Sequence, residues 1–105
     1  MKPEQQLITI AEACGWRCTA AFKEAVAYWV RPNGMDHETE FIPDYLNDLN
    51  AMHEAEKVLK GGMRSTYDAE LTLICSRDYN FIWESTATQR AEAFLRTIGK
   101  WEEAK

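Results

Sequence analysis

The stretch STATQRAEAFLRTIGKW, residues 85–101, decides the fold because it predicts a helix with one apolar face. Thr86 and Gln89 have the spacing of a capping box, in which each residue binds the backbone N–H of the other at a helix start. Gly99 is suited to end the helix, since glycine readily adopts the left-handed conformation found there. The apolar residues that share one helical face are Ala87, Ala91, Phe94, Leu95 and Ile98. A face of this width has to be covered by other elements.

Two segments upstream also have helical patterns. In PEQQLITIAEACGW, residues 3–16, apolar side chains recur at the offsets of one helical face. In PDYLNDLNAMHEAEKVL, residues 43–59, Asp44 is predicted to cap a helix that ends at Gly61 and Gly62. The chain is therefore predicted to contain three helices.

The remaining apolar segments have the patterns of strands. AVAYWV, residues 25–30, is aromatic and β-branched and leads into the turn RPNG. YDAELTLIC, residues 67–75, alternates between apolar and polar positions, and a short polar stretch separates it from NFIWE, residues 80–84. These two runs predict an antiparallel hairpin. A further short strand is expected in CTAAFK, residues 18–23, or in ETEFI, residues 38–42.

This order of elements predicts an α+β fold in which helices flank a small, mainly antiparallel sheet, as an α-β-α sandwich. The chain has 105 residues, enough to bury one core, so a single domain over residues 1–105 is expected. Hydrophobic residues make up 46% and charged residues 28%, a balance typical of a folded globular protein.

Charge and hydropathy exclude several classes of function. The net charge of -5 disfavours general binding to DNA or RNA, because a polyanion is repelled. No segment has the apolar length of a membrane helix, and the first ten residues lack the apolar run of a signal peptide. We therefore expect a cytoplasmic protein, without a membrane partner. Cys14, Cys18 and Cys75 do not have the spacing of a zinc or redox pair and are expected to be idle thiols.

No catalytic, metal or cofactor site is predicted from the sequence. His53 and Glu56 can share a helical face, but two ligands are too few for a metal site. His37 lies between acidic residues in a predicted loop, where an exposed imidazole is expected. The sequence has neither a G-x-S-x-G nucleophile motif nor a glycine-rich phosphate loop. An enzyme is therefore not expected.

Arginine and aromatic side chains in the predicted loops and strands are candidates for ligand binding. A guanidinium group can hold a phosphate in a fork while a neighbouring ring stacks on a base. The pairing predicted for a small anionic nucleotide joins Arg31 or Arg77 with Trp29, Tyr79 or Trp83.

The helix predicted over residues 43–59 has a second set of candidates. Asn47, Asn50 and Glu54 fall at offsets of 3 and 7, on one helical face. Asparagine is a poor helix former, so its presence has two explanations, bonds that brace neighbouring loops or contacts with a ligand or partner. Both explanations remain open at this point.

Three blocks of the sequence resemble the phage ABA sandwich domain family, small proteins of bacteriophages and prophages. The blocks are MKPEQQLITIAEACGW, PDYLNDLNAMHEAEKVL and ATQRAEAFLRTIGKWEE, at the start, middle and end of the chain. The resemblance implies a helix, sheet, helix sandwich, but it supplies no reaction or catalytic motif. The segments between the blocks differ from the family pattern, which places any special function of this chain on its strands and loops.

Two hypotheses for function follow from these observations. The first is a non-enzymatic phage accessory protein that sequesters a small, cyclic nucleotide signal of host antiviral defence in the host cytoplasm. The second is a protein-binding inhibitor of a host defence protein such as a nuclease or CRISPR effector, because an acidic surface complements a basic nucleic-acid channel. Large rings on both faces of the predicted sheet also indicate a homo-oligomer, in which a second chain covers the exposed rings.

Overall fold

The computed structural model describes residues 1–19, 23–34 and 39–103. In chain order, the helices and strands in these ranges are α1 (Pro3–Ala13), β1 (Arg17–Cys18), β2 (Trp29–Val30), β3 (Thr39–Glu40), α2 (Leu49–Glu56), α3 (Gly62–Arg77) and α4 (Ala87–Thr97). A single 3₁₀ turn (Ile82–Glu84) lies between α3 and α4. The strands form one antiparallel sheet in the order β1-β2-β3, so the predicted α+β class with a small antiparallel sheet is confirmed.

Helix α4 is the centre of the fold and has the predicted ends. The Thr86 hydroxyl accepts a hydrogen bond from the Gln89 backbone at 3.1 Å, and the Gln89 side chain accepts one from the Thr86 backbone at 3.0 Å. Gly99 follows the helix with φ +74°, as expected of its role. Ala91, Phe94 and other side chains of α4 are fully buried because α1, α2 and α3 all pack against this helix.

The N-terminal elements are also close to those predicted. Helix α1 is confirmed, with Ile10 and Ala11 fully buried. The strand expected over residues 25–30 is shorter, since only Trp29 and Val30 pair with neighbours. Both candidate segments for an additional strand contribute: Cys18 belongs to β1, and Thr39 with Glu40 forms β3. Residues 20–22 and 38 of those segments lie outside the described residues.

Helix α2 is shorter than predicted because its cap is Asp48 and not Asp44. The Asp48 carboxylate accepts hydrogen bonds from the backbone of Asn50 at 2.9 Å and of Ala51 at 3.3 Å. The Asp44 carbonyl instead closes the preceding turn, with the Asp48 N–H at 2.9 Å. The glycine pair at residues 61–62 does not end this helix but starts the next one.

The predicted hairpin over residues 67–84 is wrong, since α3 is one helix of 16 residues. Tyr67, Leu71 and Cys75 are buried and belong both to the alternating pattern and to a helical pattern with offsets of 4 and 8. The alternating pattern also requires Leu73 to be buried, but this side chain is 66% exposed. The 3₁₀ turn stands in the place of the second predicted strand.

Candidate functional site

The predicted binding residues lie in separate parts of the molecule. Arg77 is the last residue of α3, and Tyr79 and Trp83 belong to the connection that follows it. Arg31, Asn50 and Glu54 instead line a groove between the sheet and α2. The two that belong to neither place are Trp29 and Asn47.

Trp29 is a core residue, and its ring is not accessible to a ligand. Its side chain is 0% exposed, and its indole N–H donates to the Glu24 carbonyl at 2.9 Å. A base has no access to this ring. The predicted pairing of Trp29 with Arg31 around a nucleotide is therefore wrong.

Asn47 is a turn residue, so the predicted face of Asn47, Asn50 and Glu54 is also wrong. Asn47 precedes α2, and its amide donates to the Asp44 carboxylate at 2.9 Å, which braces the turn. Asn50 and Glu54 do share a face of α2 and line the groove together. The bracing explanation thus applies to Asn47.

The connection between α3 and α4 exposes a row of large apolar side chains. Tyr79 is 97% exposed, Trp83 75% and Phe81 61%, and Ile82 is partly exposed beside them. The Phe81 and Trp83 rings stack with centroids 4.5 Å apart and planes 5° apart. We call Tyr79, Phe81, Ile82 and Trp83 the aromatic ridge. Exposed rings that cluster in this way are typical of binding surfaces.

The side chain of Gln89 fixes the backbone beneath the ridge. Its amide N–H donates to the Asp78 carboxylate at 3.0 Å and to the Asn80 side chain at 2.9 Å, and its oxygen accepts from the Asn80 amide at 2.9 Å. Gln89 itself is 9% exposed. The Glu84 carboxylate additionally accepts from the Phe81 backbone at 3.1 Å. The rings are therefore presented by a backbone that is tied to α4.

Arg77 is bound by two carboxylates of the chain itself. Its guanidinium donates to both oxygens of Asp78, at 2.9 and 3.1 Å, and to both oxygens of Glu92, at 2.9 and 3.1 Å. Arg77, followed by the Gln89 amide, lowers the pKa of the Asp78 carboxyl to about 2. A phosphate would have to displace both carboxylates, so the predicted phosphate fork at Arg77 does not fit this geometry.

The groove between the sheet and α2 has a volume of about 470 Å³, which is within the range of small-molecule sites. Its walls include Trp16, Tyr45 and Val58. Arg31 binds both oxygens of Glu40, at 2.7 and 2.8 Å. The groove is thus largely apolar with a few charged groups.

The charges of the groove do not favour an anion. Glu40 and Glu54 both line it, against the single guanidinium of Arg31. Glu54 also pairs with Lys57 at 2.8 Å on the exposed side of α2. Cys14 lies in the same groove, and burial raises the pKa of its thiol to about 11, so the thiol is protonated at neutral pH.

Four further features concern the histidines, metal ligation, membrane spans and the cysteines. His53 is exposed on α2, and His37 lies outside the described residues. Within residues 1–19, 23–34 and 39–103, no group of three or more His, Cys, Asp or Glu side chains is placed to hold a metal ion. No helix in the same ranges has the length and apolar character needed to cross a bilayer. No disulfide joins Cys14, Cys18 and Cys75, all of which lie within the described ranges.

Sequence reasoning missed the support of the ridge. Asp78, Asn80 and Gln89 were not among the candidates, although the polar residues flanking Tyr79 are a signal for a helix end. That signal has meaning only once residues 67–77 are recognised as a helix. Phe81 was recognised as aromatic but assigned to a strand, which hid its exposure.

Comparison of the chain with family models, with curated proteins and with solved structures gave no match in any of the three. The resemblance to phage ABA sandwich proteins therefore stays a prediction from the quoted segments.

Proposed function

We propose that this protein acts by binding and not by catalysis, and that its aromatic ridge covers a basic partner protein. The observation that carries this proposal is the ridge itself, with Tyr79, Phe81 and Trp83 exposed on a backbone held by Gln89. Tyrosine and tryptophan are enriched among residues that dominate protein interfaces. A fixed backbone lowers the entropy lost on binding.

The charges around the ridge favour a protein over a nucleotide. Within residues 77–84 the charged side chains are Arg77, Asp78 and Glu84, and Arg77 is already bound by carboxylates. A phosphate would meet acidic groups beside the rings. A partner with an apolar pocket and a basic rim fits better, because the whole chain has a net charge of -5.

The class of partner follows from this charge and from the phage resemblance. Basic channels are typical of proteins that bind nucleic acids, since they neutralise phosphates. We therefore propose a host defence protein that acts on nucleic acid, such as a nuclease or CRISPR effector. Covering its channel requires affinity alone, with no chemical step on this chain.

The test is a binding assay with a panel of purified bacterial nucleases and CRISPR effectors. We expect a stoichiometric complex with at least one of them, weakened by salt, and a loss of about 30-fold or more in affinity for Trp83→Ala. Leu49→Ala is the matched control, because Leu49 is 42% exposed at the start of α2, outside the connection that carries the ridge. Absence of binding across the panel, or equal binding by Trp83→Ala, would contradict the proposal.

A second candidate function is sequestration of a small cyclic nucleotide in the groove, which the volume of the groove favours although its charges do not. Arg31, Asn50 and Glu54 were predicted as ligand contacts, and they meet in one cavity with Trp16 in its wall. An anionic ligand would have to compete with Glu40 for Arg31. Calorimetry with a panel of cyclic nucleotides tests this function: Glu40→Gln should raise the affinity and Arg31→Met abolish it. No heat from any nucleotide with either the wild type or Glu40→Gln would exclude it.

The sheet supports the expected self-association. The rings of Tyr28 and Phe41 stack with their centroids 4.9 Å apart, and each residue is 57% exposed. Beside them lies a groove of about 350 Å³ whose lining includes Leu7 and Ile42. A patch with both a projecting ring and a groove can pair with its own copy across a two-fold axis. We expect a dimer by light scattering at micromolar concentration that Phe41→Ser dissociates. A monomeric wild type would contradict this expectation.

A further inference from the structure

Within the described ranges, three helices end in the same backbone motif. After α1, the Gly15 N–H bonds the Glu12 carbonyl at 3.0 Å and the Trp16 N–H bonds the Ala11 carbonyl at 3.0 Å. This pair of bonds is the Schellman motif, which requires a left-handed residue just past the helix. Gly15 takes that place with φ +97°.

Helix α4 repeats the motif with a glycine in the same place. The Gly99 N–H bonds the Arg96 carbonyl at 3.1 Å, and the Lys100 N–H bonds the Leu95 carbonyl at 2.8 Å. Gly99 has φ +74°. Glycine suits this place because it has no Cβ atom to clash with the backbone.

Helix α3 has the same motif, but the left-handed residue is Tyr79. The Tyr79 N–H bonds the Ser76 carbonyl at 3.3 Å and the Asn80 N–H bonds the Cys75 carbonyl at 3.0 Å, with φ +61° at Tyr79. Left-handed conformations are strained for a residue with a large side chain. Among the described residues the other non-glycine with positive φ is Asn33, a residue type that tolerates it.

The Tyr79 side chain does not offset this strain within the chain. It is 97% exposed, so burial of the ring contributes almost nothing to folding. Strained backbone at a residue without internal packing is a mark of functional sites. The two neighbours of Tyr79 hold the strained backbone in place. The side chains of Asp78 and Asn80 both accept hydrogen bonds from the Gln89 amide.

We propose that Tyr79 occupies a glycine position because its ring is a main contact of the aromatic ridge with the partner protein. This inference rests on the proposed function of the ridge and adds a residue, besides Trp83, on which the affinity depends. The left-handed backbone points the ring away from α3 into solvent, where a partner pocket can enclose it. The chain thereby loses folding stability and gains a binding contact.

The first experiment measures folding of the free protein in denaturant. Tyr79→Gly is expected to lower the unfolding equilibrium constant by about fivefold, because the strain is removed. Gly99→Ala is the matched calibration, since an added Cβ there meets nothing within 4 Å and the variant reports the left-handed strain alone. It should raise the constant by a similar factor. A Tyr79→Gly protein that is no more stable than the wild type would overturn the inference.

The second experiment measures binding to the same panel of nucleases and CRISPR effectors. Tyr79→Gly should lose about 30-fold or more in affinity despite its higher stability, while Tyr79→Phe keeps the ring and most of the affinity. If the wild type binds and Tyr79→Gly binds equally well, the inference is overturned and the proposed function stands. If the wild type binds no member of the panel, the proposed function is overturned and this inference with it.

Discussion

The aromatic ridge and the groove differ in which side chains are exposed: rings on the ridge, and charged groups in the groove. On the ridge, Tyr79 and Trp83 are exposed, while the charged network below is partly buried, with the Glu92 side chain 10% exposed. In the groove Tyr45 is buried, while Arg31 and Glu40 are about half exposed. Exposed rings on a fixed backbone suit a broad protein contact, whereas an apolar cavity with a charged mouth suits a small ligand. The ridge and the groove thus suit two different kinds of contact.

The largest expected effect is the difference in unfolding free energy between removing a ring of the core and removing a ring of the ridge. Trp29→Ala should lower the free energy of unfolding by about 3–5 kcal/mol, because a fully buried aromatic side chain is removed. Trp83→Ala should change it by about 0.5 kcal/mol or less, as exposed substitutions do. Urea denaturation of both variants checks this. A large loss of stability for Trp83→Ala would show that the ridge is structural.

A smaller effect is expected where the backbone of the ridge is tied to α4. Gln89→Leu removes the acceptor of the Thr86 backbone N–H and the donor to the Asn80 side-chain oxygen, at a cost of about 1–3 kcal/mol. We expect faster hydrogen exchange at Thr86, measured by NMR, with the amides inside α1 unchanged as the internal control. Unchanged exchange at Thr86 would mean that Gln89 does not hold the connection.

Acid should weaken the same network over a defined range of pH. The pKa of Asp78 is lowered to about 2 by Arg77 and Gln89, so its contribution to stability is present above pH 4 and is lost as pH falls through about 2. Asp78→Asn lacks this titration. The difference in unfolding midpoint between wild type and Asp78→Asn should therefore be constant from pH 5 to pH 8 and shrink below pH 4. A difference that is as large at pH 2 as at pH 7 would contradict the assignment.

The smallest effect is expected at the mouth of the groove. The side chains of Arg31 and Glu40 are 57% and 44% exposed, so their ion pair is expected to contribute about 1 kcal/mol or less. Arg31→Met should leave the unfolding midpoint nearly unchanged. High salt should also change the midpoint of the wild type little. A marked loss of stability would show that this pair is part of the fold and not reserved for a ligand.

The sequence predicted the ends of the chain better than its middle, for a physical reason. Helix α4 has a capping box, an apolar face and a terminal glycine, three independent signals that agree. Residues 67–75 satisfy both a helical and an alternating pattern at Tyr67, Leu71 and Cys75, and only packing against α4 decides between them. The glycine pair at residues 61–62 was assigned to the end of the preceding helix, which hid the start of α3.

The sequence predicted which residue types are exposed candidates for binding, but not which positions are exposed. Tyr79 and Trp83 are exposed as a ligand contact requires, yet Trp29 is buried, as is Val30, because β2 is the central strand of the sheet and both of its faces are covered. A two-residue strand gives no pattern from which its inner face can be read. The strain at Tyr79 depends on where α3 ends, so it becomes visible only in three dimensions.

The central place of α4 has a consequence for how the chain folds during synthesis. This helix is made after α1, the sheet, α2 and α3, yet it packs against all three other helices. The apolar faces of the earlier elements therefore stay uncovered until the ribosome has added α4. We expect the nascent chain to bind chaperones through these faces, and folding to be completed after α4 emerges, beginning with its docking onto the neighbouring α3.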